Sequence, residues 1–337
     1  MPQLRNSLIF VAAASAGILA LAGCSDMGGT PAESSASGGQ VKTAAVIKGL
    51  DNPFFQDMEK GIKAEDSSIT VQAAQDITDT SGQADRLSSL AGQDYGCFII
   101  NPISGNNLLQ GVAGLKAAGK TVVNIDSPVD PAAAKAANAV PDTYIGTDNI
   151  SAGKLAGEQM ATLVSEGDKV AVIGGIAGDV TSENRVAGFT EGLGTKAKVL
   201  ETESADWDRQ VALTKAGDLL RANPDIKGFF VANDVMGLGV ARAVANAGLT
   251  GKVAIISVDG VPEGLKGVES GELTATVAQY PYAIGQMGAQ ACKAAAEGES
   301  LPESVEAPVA LVTKENVADA IKAAPAPFEP FENPFEK

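Results

Sequence analysis

The chain has 337 residues, with 25 Lys and Arg against 41 Asp and Glu, a formal net charge of −16 and no histidine. Such a balance excludes the basic footprint that nucleic-acid binding needs. The missing histidine removes the commonest general base, the commonest zinc ligand and any Ser-His or Cys-His nucleophile pair, and leaves carboxylate-only chemistry, as in glycoside hydrolysis, open. No metal, cofactor or catalytic residue is expected.

The N-terminus reads as an address rather than as fold. Arg5 precedes the apolar stretch 8–22, which is too short and too rich in Ala and Gly to span a membrane. It ends in Leu21-Ala22-Gly23-Cys24-Ser25, which resembles a bacterial lipobox. The reading is a lipoprotein signal peptide over 1–23, removed before Cys24, with diacylglycerol on the Cys24 thiol. An ordinary secretory signal with an incidental cysteine accounts less well for the small residues just before it. Residues 24–40 have the composition of a flexible tether. The protein is therefore expected to be exported and lipid-anchored to the outer face of a bacterial membrane. Residues 1–23 carry only Arg5, so what remains is more acidic still, which suits a soluble, non-sticky protein.

From residue 41 onward, short apolar runs alternate with helical patterns. Strands are expected at 43–47, 69–74, 97–101 and 121–125, then at 169–173, 198–203, 228–232 and 253–258, and last at 274–278 and 309–313. Helices are expected at 53–64, 84–91, 108–118, 152–165, 185–193, 211–222, 235–247 and 284–296. This alternation predicts an α/β chain of parallel sheets with right-handed crossovers. Two successive series predict two Rossmann-like lobes, each a parallel sheet flanked by helices. Cys97 lies in an apolar strand and Cys292 in an Ala/Gly helix, so buried free thiols are expected, with a disulfide between them left open. The tail 325–337 repeats Phe-Glu three times among prolines; it can be neither helix nor inner strand and reads as an extended surface segment.

Polar and aromatic residues recur at the carboxyl ends of the strands, where open α/β sheets bind ligands. Asp51-Asn52-Pro53-Phe54-Phe55 follows the first strand. Asp126 ends the fourth, Asn233 ends 229–232, Asp259 ends 255–258 and Gln279 ends 274–278. Arg185 is placed at a helix start, and Trp207, the single tryptophan, in a loop. Each polar residue taken alone reads as a helix cap; as a set at equivalent ends of both series they read as one cleft. Sugars need planar Asp, Asn, Arg and Gln groups for vicinal hydroxyls, and aromatic rings for their C–H faces. This set supplies both.

These motifs resemble the ribose-type periplasmic sugar-binding proteins, the substrate receptors of bacterial ABC importers, and within them the D-allose-binding subgroup. The resemblance runs from about residue 41 to 313. It includes Ile47-Lys48-Gly49-Leu50-Asp51-Asn52-Pro53-Phe54-Phe55, Asn101-Pro102, Thr147-Asp148-Asn149, Gly175-Ile176-Ala177-Gly178 and Ala205-Asp206-Trp207-Asp208-Arg209. Ala232-Asn233-Asp234, Val258-Asp259-Gly260 and Ala275-Thr276-Val277-Ala278-Gln279 complete it. It implies the type I periplasmic-binding-protein fold, with a three-segment hinge near Gly146-Thr147, near Gln279 and near Ala307-Pro308. The lobes would comprise 41–146 plus 280–307, and 147–279 plus 308–324, followed by the 325–337 tail. It implies sugar contacts at Lys48, Asn52, Phe54, Phe55, Asp126, Arg185, Trp207, Asn233, Asp259 and Gln279, with Phe55 and Trp207 clamping opposite ring faces. It implies a monomer that closes on a monosaccharide or polyol and hands it to an ABC permease driven by a separate ATPase.

Lys48 stands where the ribose group has a small hydroxyl residue and the allose group lysine. Ser127 stands where the ribose group has arginine, and Val258 where it has an aromatic. Lys48 favours a hexose or polyol over ribose, and the other two speak against ribose without touching the broader class. The Gly174–Gly178 run lacks the Lys-Ser/Thr of a phosphate loop and reads as a plain strand-to-helix turn. A DNA-binding repressor shares the architecture, but an export signal stands where its helix-turn-helix would be. A glycosidase using Asp126 and Asp259 conflicts with their implied role in hydroxyl binding. A receptor for a membrane chemosensor differs from a transport protein only in its partner.

Overall fold

A computed structural model describes residues 41–336; the expected signal peptide at 1–23, the tether at 24–40 and the lipidation site Cys24 lie outside them. Five strands come first: β1 (Thr43–Ile47), β2 (Thr70–Ala73), β3 (Cys97–Ile100), β4 (Thr121–Ile125) and β5 (Thr143–Thr147). Between them run α1 (Pro53–Glu65), α2 (Thr80–Ala91), α3 (Leu109–Ala117) and α4 (Pro131–Ala136). After α5 (Asn149–Leu163) the pattern repeats as β6 (Lys169–Gly174), β7 (Lys198–Ser204), β8 (Ile226–Val231), β9 (Ala254–Asp259) and β10 (Ala275–Gln279). Here the intervening helices are α6 (Val180–Leu193), α7 (Arg209–Ala222), α8 (Asp234–Asn246) and α9 (Pro262–Ser270). The chain ends in α10 (Pro281–Ala296), β11 (Ser304–Ala307), β12 (Val309–Thr313) and α11 (Val317–Ala323).

Two six-stranded sheets result, ordered β11-β5-β4-β3-β1-β2 and β12-β10-β9-β8-β6-β7. The first five strands of each sheet have the same order and all pair in parallel. The sixth strands differ: β11 is parallel to β5, whereas β12 is antiparallel to β10. The expectation of purely parallel sheets is thus corrected at one edge. β11 and β12 are separated only by Pro308, yet they join different sheets. β11 runs out at the carboxyl ends of its sheet, and one residue later β12 enters the second sheet at the carboxyl end of β10, with Val309 opposite Gln279, so it must run antiparallel.

The inner strands are apolar on both faces, as a sheet covered by helices on both sides demands. In the first sheet Ala45, Ile47, Ile99, Val123 and Ile125 face one core, and Ala44, Val46, Phe98, Ile100 and Val122 face the other. The second sheet alternates in the same way, with Ile173, Phe229 and Val231 on one side and Val172, Phe230 and Val258 on the other. Phe189 of α6 stacks on Phe230 with ring centroids 4.3 Å apart.

Two expectations are corrected here. Cys97 and Cys292 are not free thiols but form a disulfide between β3 and α10, with Cα atoms 5.8 Å apart. Both belong to the same buried cluster, where α10 covers the first sheet. The tail is not simply extended over the surface. Phe328 packs on the second sheet's core, Phe335 on the first sheet's, and Phe331 on both. Asn333 Nδ2 donates to Gln290 of α10 at 2.9 Å.

Candidate functional site

The carboxyl ends of strands from both sheets converge on one cavity. It is lined by Lys48, Asn52, Phe54, Phe55 and Asp126 from the first lobe, and by Arg185, Trp207, Asn233 and Asp259 from the second. Of the expected site residues only Gln279 is set back from it; it reaches the site by donating from Nε2 to Asp259 Oδ1 at 2.7 Å. A larger groove of about 800 Å³ on the second lobe contains none of the expected site residues.

The first wall is built by the start of α1. Pro53 occupies the first helical turn, and Asn52 caps it by accepting the Phe54 N–H on Oδ1 at 3.0 Å. That fixes the two rings behind it, which meet edge to face at 5.3 Å. It also leaves the Asn52 Nδ2 amide as a donor. Lys48 Nζ donates to Ser127 Oγ at 2.6 Å, stands 3.8 Å from Asp126 Oδ2 and 5.4 Å from the Phe55 ring centroid. Its side chain is only 14% exposed, so it is no solvated strand-end charge. Asp126 adopts a left-handed backbone, φ 61°. The turn is held by the Tyr144 hydroxyl, which donates to the Asp126 carbonyl at 2.6 Å, and by buried Asn124, which bonds the backbone of Ser127 and Val129. Burial, with the Asp126 charge beside it, raises the Tyr144 phenol far above its usual range, so it stays a neutral donor.

The second wall centres on Arg185. It lies in the second turn of α6 rather than at its start, because the helix begins at Val180 with Asp179 as cap. Nε donates to Asn149 Oδ1 at 2.7 Å, and Nη1 to the Ala232 carbonyl at 2.7 Å and Asp259 Oδ1 at 3.1 Å. Nη2 is left for the cavity. Asp259, at φ 127°, has its carboxyl raised above the usual carboxylate range by burial. The Arg185 guanidinium pulls it back, the charge of Asp234 pushes it up and the Gln279 amide again lowers it. Asn233 caps α8 by accepting the Met236 N–H at 2.9 Å, leaving its own Nδ2 as a donor. Trp207 stands 5.8 Å from the Arg185 guanidinium carbon. The arrangement offers carboxylate acceptors, fixed amide and guanidinium donors and an aromatic face from each lobe, which suits a neutral, hydroxyl-rich ligand.

Sequence reasoning missed several contributors. Ile77, Ile103, Ile176, Asp179 and Thr181 also line the cavity, and Asn149 positions Arg185 from the start of α5. Asp179 and Ile176 follow a strand end as the other site residues do. That position is the signal that could have found them.

Residues 43–300 match the family model described as "Periplasmic binding protein domain". The chain belongs to this family. It is 40% identical over 252 residues to the D-allose-binding periplasmic protein of Escherichia coli K12, covering 73% of this chain and 81% of that one. It is 30% identical over 270 residues to the ribose import binding protein RbsB of Bacillus subtilis, covering 80% and 86%. Among solved structures, an ABC transporter periplasmic solute-binding protein from Actinobacillus succinogenes with bound D-allose superposes with a TM-score of 0.78 at 26% identity, covering 83% of this chain and all of that one. These relatives are binding proteins, and the family member described here, like them, is not an enzyme.

Proposed function

We propose that this protein is an extracytoplasmic sugar receptor that captures a monosaccharide, a hexose such as allose or a pentose or polyol, and delivers it to an ABC importer. The observation that carries the reading is the single cavity in which Asp126 and Lys48 of one lobe face Arg185, Asp259 and Trp207 of the other. Phe55 and Trp207 take the two faces of the sugar ring, while Asp126, Arg185 and Asp259 take hydroxyl pairs. Lys48 bonded to Ser127 supports a hexose or polyol over ribose. The lobes, 41–146 plus 280–307 and 147–279 plus 308–324, close by hinge motion, and the closed monomer is what the permease reads. Cys24 carries the lipid that holds the receptor at the membrane.

A thermal-shift screen across allose, ribose, xylose, glucose, galactose, inositols and pentitols tests the binding reading, since a ligand of the folded state raises the melting temperature. A rise with allose or a related sugar is expected, and no rise with any of them sinks it. Radiolabelled lipid should appear on the wild type and not on Cys24→Ser.

A further inference from the structure

The Gly174–Gly178 run, read from sequence as a plain turn, has a part that only the folded chain shows. Gly175 is buried at the end of β6. A Cβ built there would lie 2.2 Å from Trp207 Cε2, 2.3 Å from Cζ2 and 2.6 Å from Cδ2, and these are its three nearest atoms. Optimal carbon contacts are about 3.5–4.0 Å, so the indole lies flush on the bare glycine. Gly175 does not use a left-handed backbone, so it is the ring, not the conformation, that a side chain meets first.

The ring cannot retreat cheaply, because the turn that carries it hangs from the same peptide. Asp206 N and Ser204 Oγ both donate to the Gly175 carbonyl, at 3.3 Å and 2.5 Å, and the Gly175 N–H donates to Ser182 Oγ at 2.8 Å. Asp206 and Trp207 are both left-handed, φ 53° and 60°. Two successive residues in that conformation define the exit direction of the indole.

We propose that Gly175 is a positioning residue for ligand binding, whose missing side chain is the seat of the Trp207 ring and sets where the second lobe's aromatic face stands. The inference rests on Trp207 stacking on the ligand, as proposed above. It predicts that any side chain at 175 displaces the ring.

Trp207 is the only tryptophan, so protein emission reports its surroundings directly. The test compares ligand-free wild type, Gly175→Ala, Trp207→Ala and the double variant, with Gly114→Ala as control, since a Cβ at Gly114 meets nothing within 4 Å. Emission and acrylamide quenching should change in Gly175→Ala and not in the control. Titration calorimetry with the best sugar of the screen should show Gly175→Ala weaker by about tenfold, with no further loss when it is added to Trp207→Ala. Unchanged emission and affinity, or an equal loss in the Trp207→Ala background, would overturn the proposal. If Gly175→Ala fails to fold, the double variant should melt with Trp207→Ala; a further drop overturns it. If no sugar binds the wild type, the functional reading falls, and the ligand-free emission alone decides the seat.

Discussion

Arg185 is the residue on which the site turns. Its guanidinium is buried, and three of its partners lie on three different elements, α5, the end of β8 and β9. Arg185→Ala would leave Asp259 buried without its counter-charge, and calorimetry should then find sugar affinity lost, by roughly 2–5 kcal/mol. Lys48 and Ser127 form a second unit, joined at 2.6 Å. By the resemblance, the ribose group has a hydroxyl at 48 and a cation at 127; here the cation comes from β1 and the hydroxyl from β4. Lys48→Ser alone should weaken binding by about 1.5–3 kcal/mol, the range for a hydrogen bond to a charged group. Adding Ser127→Arg should return part of that loss for ribose but not for allose, read by parallel titrations. The types of these residues were legible because a strand-end amide, acid or ring is hard to explain as core. The Lys48–Ser127 contact was not, since it joins two strand ends 79 positions apart.

Helix α6 holds Arg185 in place because it lies unusually close to α5. A Cβ at Gly153 would stand 2.1 Å from the Arg185 carbonyl, and one at Gly188 2.0 Å from that of Ile150. Gly153→Val should therefore push the helices apart, costing about 1–3 kcal/mol in urea denaturation and weakening sugar binding although residue 153 is outside the cavity. Behind the site, Asp234 of α8 accepts from Ser257, Thr276 and the Val261 N–H while fully buried. Asp234→Ala strands all three donors and should cost roughly 3 kcal/mol, measured in the same assay. Uniformly apolar strands such as β3 were readable from their residues. β5 (Thr-Tyr-Ile-Gly-Thr) and β11 (Ser-Val-Glu-Ala) were not, because their composition is mixed and β11 is an edge with alternate residues exposed. The short helices α4 and α11 carry too few turns for an apolar period to stand out.

Across the whole molecule, two effects set stability. The Cys97–Cys292 disulfide closes a loop of sequence separation 195 that contains most of the second lobe. Its removal by Cys97→Ala with Cys292→Ala should cost about 2–5 kcal/mol in denaturant unfolding. No spacing rule signals a pair so far apart, so only packing of α10 on the first sheet reveals it. The second effect is pH. Burial raises the Asp234 and Asp259 carboxyls above the ordinary carboxylate range, so just above that range the folded chain binds more protons than the unfolded one. Stability contributed this way falls as pH rises through that window. Asp225 and Glu263 are lowered by their bonds to Lys169 and Arg209, and their contribution is lost only as pH falls below the usual carboxylate range. The melting temperature should accordingly be higher near about pH 5 than near about pH 8, and drop again below about pH 4. The exchange of β11 and β12 between the sheets bears on how the two lobes are completed. Residues 304–313 carry the sixth strand of both sheets, so neither sheet has its full set until this one segment is in place. The two lobes thus share one closing step, and a single cut between β11 and β12 would loosen an edge of each at once.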